Sequence, residues 1–199
     1  MKLYYVLDPM CSWCWGFRQV FQQLLGKLPS DVQVQYVMGG LAPDSDEPMP
    51  NKTRSYVQSQ WRAVAHASNA NFNWDFWKKC QPRRSTYPAC RAVIAAGQQD
   101  EDKLPEMIDA IQHAYYQQAR NPSDLHTLVE LADEIGLDAG QFTKDIHSPK
   151  VEQQLEVDFQ LRQQLSVRSF PSLRLEHQQQ IKDIKIDYLD TQKLLKQII

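Results

Sequence analysis

Apolar residues open the chain in an unbroken run, Leu3-Tyr4-Tyr5-Val6-Leu7, directly after Met1-Lys2. A run of that kind suits a strand covered on both faces. Cys11 follows after a short loop. Phe17, Val20, Phe21, Leu24, Leu25 and Leu28 then recur at helical spacing, and Pro29-Ser30 ends the helix they predict. Val32, Val34 and Tyr36 alternate with Gln33 and Gln35, Val37-Met38 lengthens the run, and Gly39-Gly40 closes this second strand.

Residues 43–50 turn to Pro, Asp, Ser and Glu, the composition of a linker. From there to residue 165 the pattern is helical, in runs at 53–67, 87–96, 104–119, 124–135 and 151–165. Pro82, Gly97, Pro122, Gly136, Gly140 and Pro149 supply the breaks. Ser123 or Asp124 is placed to cap one of these helices, and Gly136 to stop it. No repeat of fixed period occurs. Past residue 165, Ser172-Leu173-Arg174-Leu175-Glu176 alternates, residues 178–180 turn, and Ile181, Ile184 and Ile186 form another apolar stretch. These read as a β-hairpin. Asp190 then caps a last short helix with Leu194, Leu195 and Ile198 on one face. The order is βαβ, a helical block, then ββα. It predicts an α/β chain divided into 1–42 with 166–199, and an all-helical 43–165.

The chain has 199 residues and is 42% apolar, enough for a sizeable core. Its net charge of -2 and pI near 6.2 lack the excess of Lys and Arg that nucleic-acid binding needs. No apolar run approaches the roughly 20 residues that span a bilayer. The opening apolar run is too short for a signal-peptide core, and no small-residue cleavage site follows, so a cytoplasmic location is expected. Thiols are kept reduced there. Four cysteines then read as catalytic or metal-binding before they read as structural disulfides.

Cys11-Ser12-Trp13-Cys14 sits where the first strand meets the first helix. A thiolate, not a thiol, attacks disulfides. The first turn of a helix offers unpaired N–H groups and roughly half a positive charge, which stabilise a thiolate. Cys14 lies about one turn on, within reach of Cys11. Cys11 is thus expected to attack a substrate disulfide and Cys14 to resolve the mixed disulfide. A CxxC in the strand-to-helix turn of a βαβ unit is a far stronger signal than a bare CxxC. Pro171, in Ser169-Phe170-Pro171-Ser172, enters the later strand. Alone it reads as a trans turn proline. Beside the CxxC it reads as a cis proline that exposes the Phe170 backbone to an extended peptide.

Together, the βαβ–insertion–ββα order, Cys11-Ser12-Trp13-Cys14 and Ser169-Phe170-Pro171-Ser172 resemble the DsbA-like branch of the thioredoxin superfamily. The stretch Asp8-Pro9-Met10-Cys11-Ser12-Trp13-Cys14-Trp15-Gly16 resembles its cytoplasmic FrnE-type members. The resemblance implies a thioredoxin fold with a large all-helical insertion, Cys11 as nucleophile, Cys14 as resolving thiol and Pro171 as the cis proline beside them. It implies a thiol–disulfide oxidoreductase acting on protein or peptide thiols and disulfides, a reductase or isomerase in the cytoplasm. The cysteine pair carries the electrons, so no metal or organic cofactor is required, with glutathione as a candidate electron partner. Periplasmic DsbA carries Pro-His between its cysteines where this chain has Ser-Trp, which argues against an oxidase. The kappa-class glutathione transferases and 2-hydroxychromene-2-carboxylate isomerases resemble this chain in topology but typically carry Ser at the first active-site position. A peptide-binding, chaperone-like module is the non-enzymatic alternative. In the kappa-type relatives, a segment resembling Ser85-Thr86-Tyr87-Pro88-Ala89-Cys90-Arg91 comes near the active site, which would bring Cys90 close to Cys11.

Trp13 and Phe170 are expected to border the substrate, and Trp15 to pack internally. Cys80 and Cys90 read as small apolar fillers. A second redox pair, one extra thiol that exchanges with the first centre, and a zinc site drawing on all four cysteines are the alternatives, although the second pair lacks the usual ligand spacing. Asp8 reads as turn chemistry, with a proton acceptor for Cys14 as the second option. The five histidines show no ligand spacing, and Asp100-Glu101-Asp102 reads as a solvated loop.

Overall fold

The computed structural model describes residues 1–199. The strands β1 (Lys2–Leu7) and β2 (Gln33–Met38) flank α1 (Ser12–Leu25). The helices α2 (Asn51–Ser68), α3 (Phe76–Lys79), α4 (Tyr87–Gln99), α5 (Lys103–Tyr116), α6 (Leu125–Glu134), α7 (Ala139–Asp145) and α8 (Pro149–Gln164) follow without an intervening strand. The chain then returns to the sheet through β3 (Ser172–His177) and β4 (Gln180–Ile184), and ends in α9 (Thr191–Ile198). The sheet order is β2-β1-β3-β4, with β1 parallel to β2 and antiparallel to β3. This is the mixed α/β thioredoxin fold with a helical insertion between its two halves.

β1 is apolar throughout because both its faces are covered. Leu3, Tyr5 and Leu7 join a buried cluster of 43 residues that runs on into the helical block, whereas Tyr4 and Val6 join Val37, Leu165 and Val167 on the other face. Alternate residues of a strand point to opposite faces, so each face draws on its own set. At the sheet edge, the Asp158 carboxylate of α8 accepts a 2.8 Å hydrogen bond from the Met38 amide of β2.

Several boundaries differ from the hydrophobic pattern. α1 ends at Leu25, and the Gly26 amide bonds back to the Gln22 carbonyl while the Lys27 amide bonds to that of Leu24, so Leu28 lies beyond the helix. α4 runs through Gly97 rather than stopping there. A Cβ at that position would come within 3.1 Å of Leu104, so the glycine allows close packing instead of a break. Gly140 likewise lies inside α7, in the first turn that Asp138 caps by accepting from the Gln141 amide. α3 and α7 carry too few residues for a 3.6-residue period to register. β4 stops at Ile184, leaving Ile186 outside the strand. The expected Asp190 cap is present, accepting from the Gln192 amide, and Gly136 follows α6 with a left-handed φ of 82°.

Candidate active site

Cys11 is the N-cap of α1, with extended backbone angles, and its amide bonds to the Asp8 carbonyl at 3.0 Å. Its carbonyl accepts from the Trp15 amide at 3.0 Å, the first turn of the helix. Cys14, one turn on, is fully buried. Burial pushes its thiol well up, and the neighbouring Cys11 adds to the shift. The Cys11 Sγ also lies 3.5 Å from the Phe170 carbonyl oxygen, 159 residues away in the chain. The Phe170–Pro171 peptide is cis.

A cleft of about 270 Å3 opens over Cys11. Trp13, Phe170, Tyr56, Gln60, Arg84 and Arg168 are among the residues lining it. The Trp13 indole N–H donates to the Gln60 side-chain oxygen at 3.0 Å, which holds that ring against α2. Pro171 is buried and does not itself line the cleft. Trp15 packs inward, stacked on Tyr116 at 5.5 Å and donating to the Asn71 carbonyl. Burial raises the phenols of Tyr5, Tyr116 and Tyr188 around the cysteine pair, and negative charge on the cysteines pushes the same way.

Asp8 does more than shape a turn. Its carboxylate is fully buried and accepts from the Met10 amide at 2.8 Å, the Leu41 amide at 2.7 Å and the Thr86 hydroxyl at 2.6 Å. Burial raises its pKa, and those three hydrogen bonds pull it back. The carboxylate thereby clamps the loop before Cys11 to the segment after β2 and to the start of α4. Tyr116 holds the same loop by donating to the Met10 carbonyl at 2.7 Å. The Cys90 sulfur lies 3.8 Å from the Asp8 carboxylate, and burial, with Asp8 adding its charge, drives that thiol up. Cys80 lies against the Ala119 carbonyl, and its thiol, like that of Cys90, is free. No three His, Cys, Asp or Glu side chains converge to hold a metal ion.

The family described as Thioredoxin (Thioredoxin_5) matches residues 4–197. The chain belongs to the thioredoxin family. A Nitrosomonas europaea structure described as a "putative protein disulfide isomerase" is 27% identical, with a TM-score of 0.86 over 98% of this chain and 94% of that one. The cytosolic disulfide reductase DsbM from Pseudomonas aeruginosa is 24% identical, with a TM-score of 0.77 over 93% of this chain and 89% of its own. Among curated proteins, the ClpXP adapter protein SpxH of Bacillus subtilis (strain 168) is 24% identical over 87% of this chain. The chain spans 57% of the length of that relative.

Arg84 and Arg168 were not singled out by the sequence pattern, yet both border Cys11. Arg168 stands two residues before Phe170, and that adjacency was its one signal. Arg84 has no comparable mark, because only the folding of the helical block brings it to the cleft.

Proposed function

We propose that this protein is a thiol–disulfide oxidoreductase of the cytoplasm, a reductase or isomerase acting on protein or peptide disulfides. The observation that carries the reading is the thiol pair one helical turn apart, with Cys11, 6% exposed, bordering the cleft and Cys14 fully buried. The Cys11 thiolate attacks one sulfur of a substrate disulfide, forming a mixed disulfide and releasing the other sulfur as a thiolate that takes up a proton. Cys14 loses its proton and attacks the Cys11 sulfur. The Cys11–Cys14 disulfide forms, the second substrate thiol leaves, and two electrons have passed to substrate. Two equivalents of a low-molecular-weight thiol, such as glutathione, restore the dithiol. The cytosolic disulfide reductase among the neighbours, also solved with GSH, supports both the direction and the donor.

In this reading Trp13 and Phe170 border the substrate, and Pro171 sets the chain beside Cys11. The names of the curated relatives favour a second reading, an adapter that binds a partner without chemistry. Thiol trapping across a series of glutathione buffers separates the two. A reversible Cys11–Cys14 disulfide with a potential between about -270 and -120 mV is expected. Cys14→Ser should accumulate the mixed disulfide and Cys11→Ser should form none. A pair that never oxidises, with partner binding intact in Cys11→Ser, would establish the adapter instead.

A further inference from the structure

The chain has ten arginines, and their partners divide them. Arg18, Arg83, Arg91, Arg120 and Arg174 pair with carboxylates. Arg54 and Arg62 lie over tryptophan rings, and Arg162 bonds to the Gly39 carbonyl. Arg84 and Arg168 alone have no ion pair, no protein hydrogen bond and no ring, although the charge of Arg84 reaches the buried Asp8 carboxylate. Both border the cleft that holds Cys11. A second hollow, of about 540 Å3, continues past Phe170 and shares Leu41, Arg168 and Phe170 with the first, adding Arg162. Neither hollow has an Asp, Glu or Lys in its wall. Trp61, whose buried indole N–H has no acceptor in the protein, also lines the first. The trough is therefore cationic and rich in free donors on a molecule whose net charge is -2.

We propose that this trough selects extended peptide disulfides carrying carboxylates beside the half-cystine, with Arg84 and Arg168 as the specificity-determining residues. The proposal rests on the oxidoreductase reading above and names its substrate class. Unpaired guanidinium groups match carboxylates in geometry as well as charge. The two exposed arginines supply such groups beside the reactive sulfur, and no lining carboxylate competes with a substrate for them. A lysine-flanked substrate would meet like charge at the same place.

The test compares kcat/KM for three cystine-bridged peptides of one length, flanked by Glu, Gln or Lys, with dithiothreitol as the reductant that restores the enzyme. At low ionic strength the expected order is Glu over Gln over Lys, with about tenfold between the extremes. About 0.5 M salt should compress that ratio severalfold, because screening shortens the reach of exposed charges. The double variant Arg84→Glu with Arg168→Glu should invert the order, a gain that misfolding cannot produce. Arg84→Lys with Arg168→Lys should keep the direction of the preference. Equal rates for all three peptides in the wild type, or an order that charge reversal leaves alone, would overturn the selection while leaving the disulfide chemistry standing. No reduction of any peptide would overturn both.

Discussion

Cys11 and Cys14 share one motif and two environments. Cys14 is fully buried with a raised thiol, whereas Cys11 keeps 6% exposure at the edge of the cleft. Reactivity follows thiolate character and access. Brief alkylation of the reduced native protein, mapped by peptide mass, should therefore label Cys11 well before Cys14 or the equally buried Cys90, and unfolding should abolish the difference. Gly39 illustrates the same scale from the other side of the cleft. A Cβ there would overlap the Phe170 ring, and the Gly39 amide already bonds to the Leu7 carbonyl of β1, so the backbone has little room to retreat. Gly39→Ala should displace Phe170, lower kcat/KM for peptide disulfides about tenfold, and cost about 1–3 kcal/mol in urea unfolding. Full activity in that variant would remove Phe170 from the substrate site.

At the scale of elements, α8 meets the sheet through a carboxylate. Burial lifts Asp158 to about 6, partly offset by hydrogen bonds from the Met38 amide and the Gln154 side chain. Its folded pKa thus lies above the unfolded value of roughly 3.9. The unfolded state then binds fewer protons between those values, and stability from this group falls as pH rises from about 4 through 6. Below that window the protonated acid is tolerated, and above it the folded protein holds a buried charge. Asp158→Asn should raise stability by about 2 kcal/mol at pH 8 relative to its effect at pH 4. Urea melts of both proteins at the two pH values check the sign. A variant no more stable at the higher pH would mean that the charge is fully compensated by its two donors.

Across the whole molecule, the sheet and the helical block share one core. The cluster of 43 buried residues includes Leu3 and Tyr5 of β1 together with Trp61, Phe76 and Tyr116 of the insertion. Trp61, fully buried, packs its ring 5.0 Å from Phe72 and 5.3 Å from Tyr116, and Tyr116 in turn holds the loop before Cys11. Urea unfolding followed by tryptophan fluorescence and by far-ultraviolet circular dichroism should give coincident single transitions. Trp61→Ala should lower stability by about 3–5 kcal/mol and slow disulfide reduction in the protein that remains folded, through the loosened loop. Two separated transitions would mean that the helical block unfolds independently of the sheet.

Local pattern was sufficient wherever the cause was local. The doubly buried β1, the cysteine pair at the mouth of a helix, the Asp190 cap and the Gly136 stop each follow from a few neighbouring residues. The βαβ–helices–ββα order follows from the change in hydrophobic period along the chain. Tertiary structure decided what depends on distant partners. Asp8 finds its partners Leu41 and Thr86 33 and 78 residues away, and the Cys11 sulfur meets the Phe170 carbonyl across 159. Gly97 and Gly140 read as breaks because intrinsic propensity disfavours glycine in helices, but packing against Leu104 and the Asp138 cap outweighed that preference. Arg84 and Arg168 look like ordinary surface residues in sequence. What distinguishes them is the absence of any ion pair or protein hydrogen bond and their position beside Cys11, and both arise only when the insertion folds back onto the sheet.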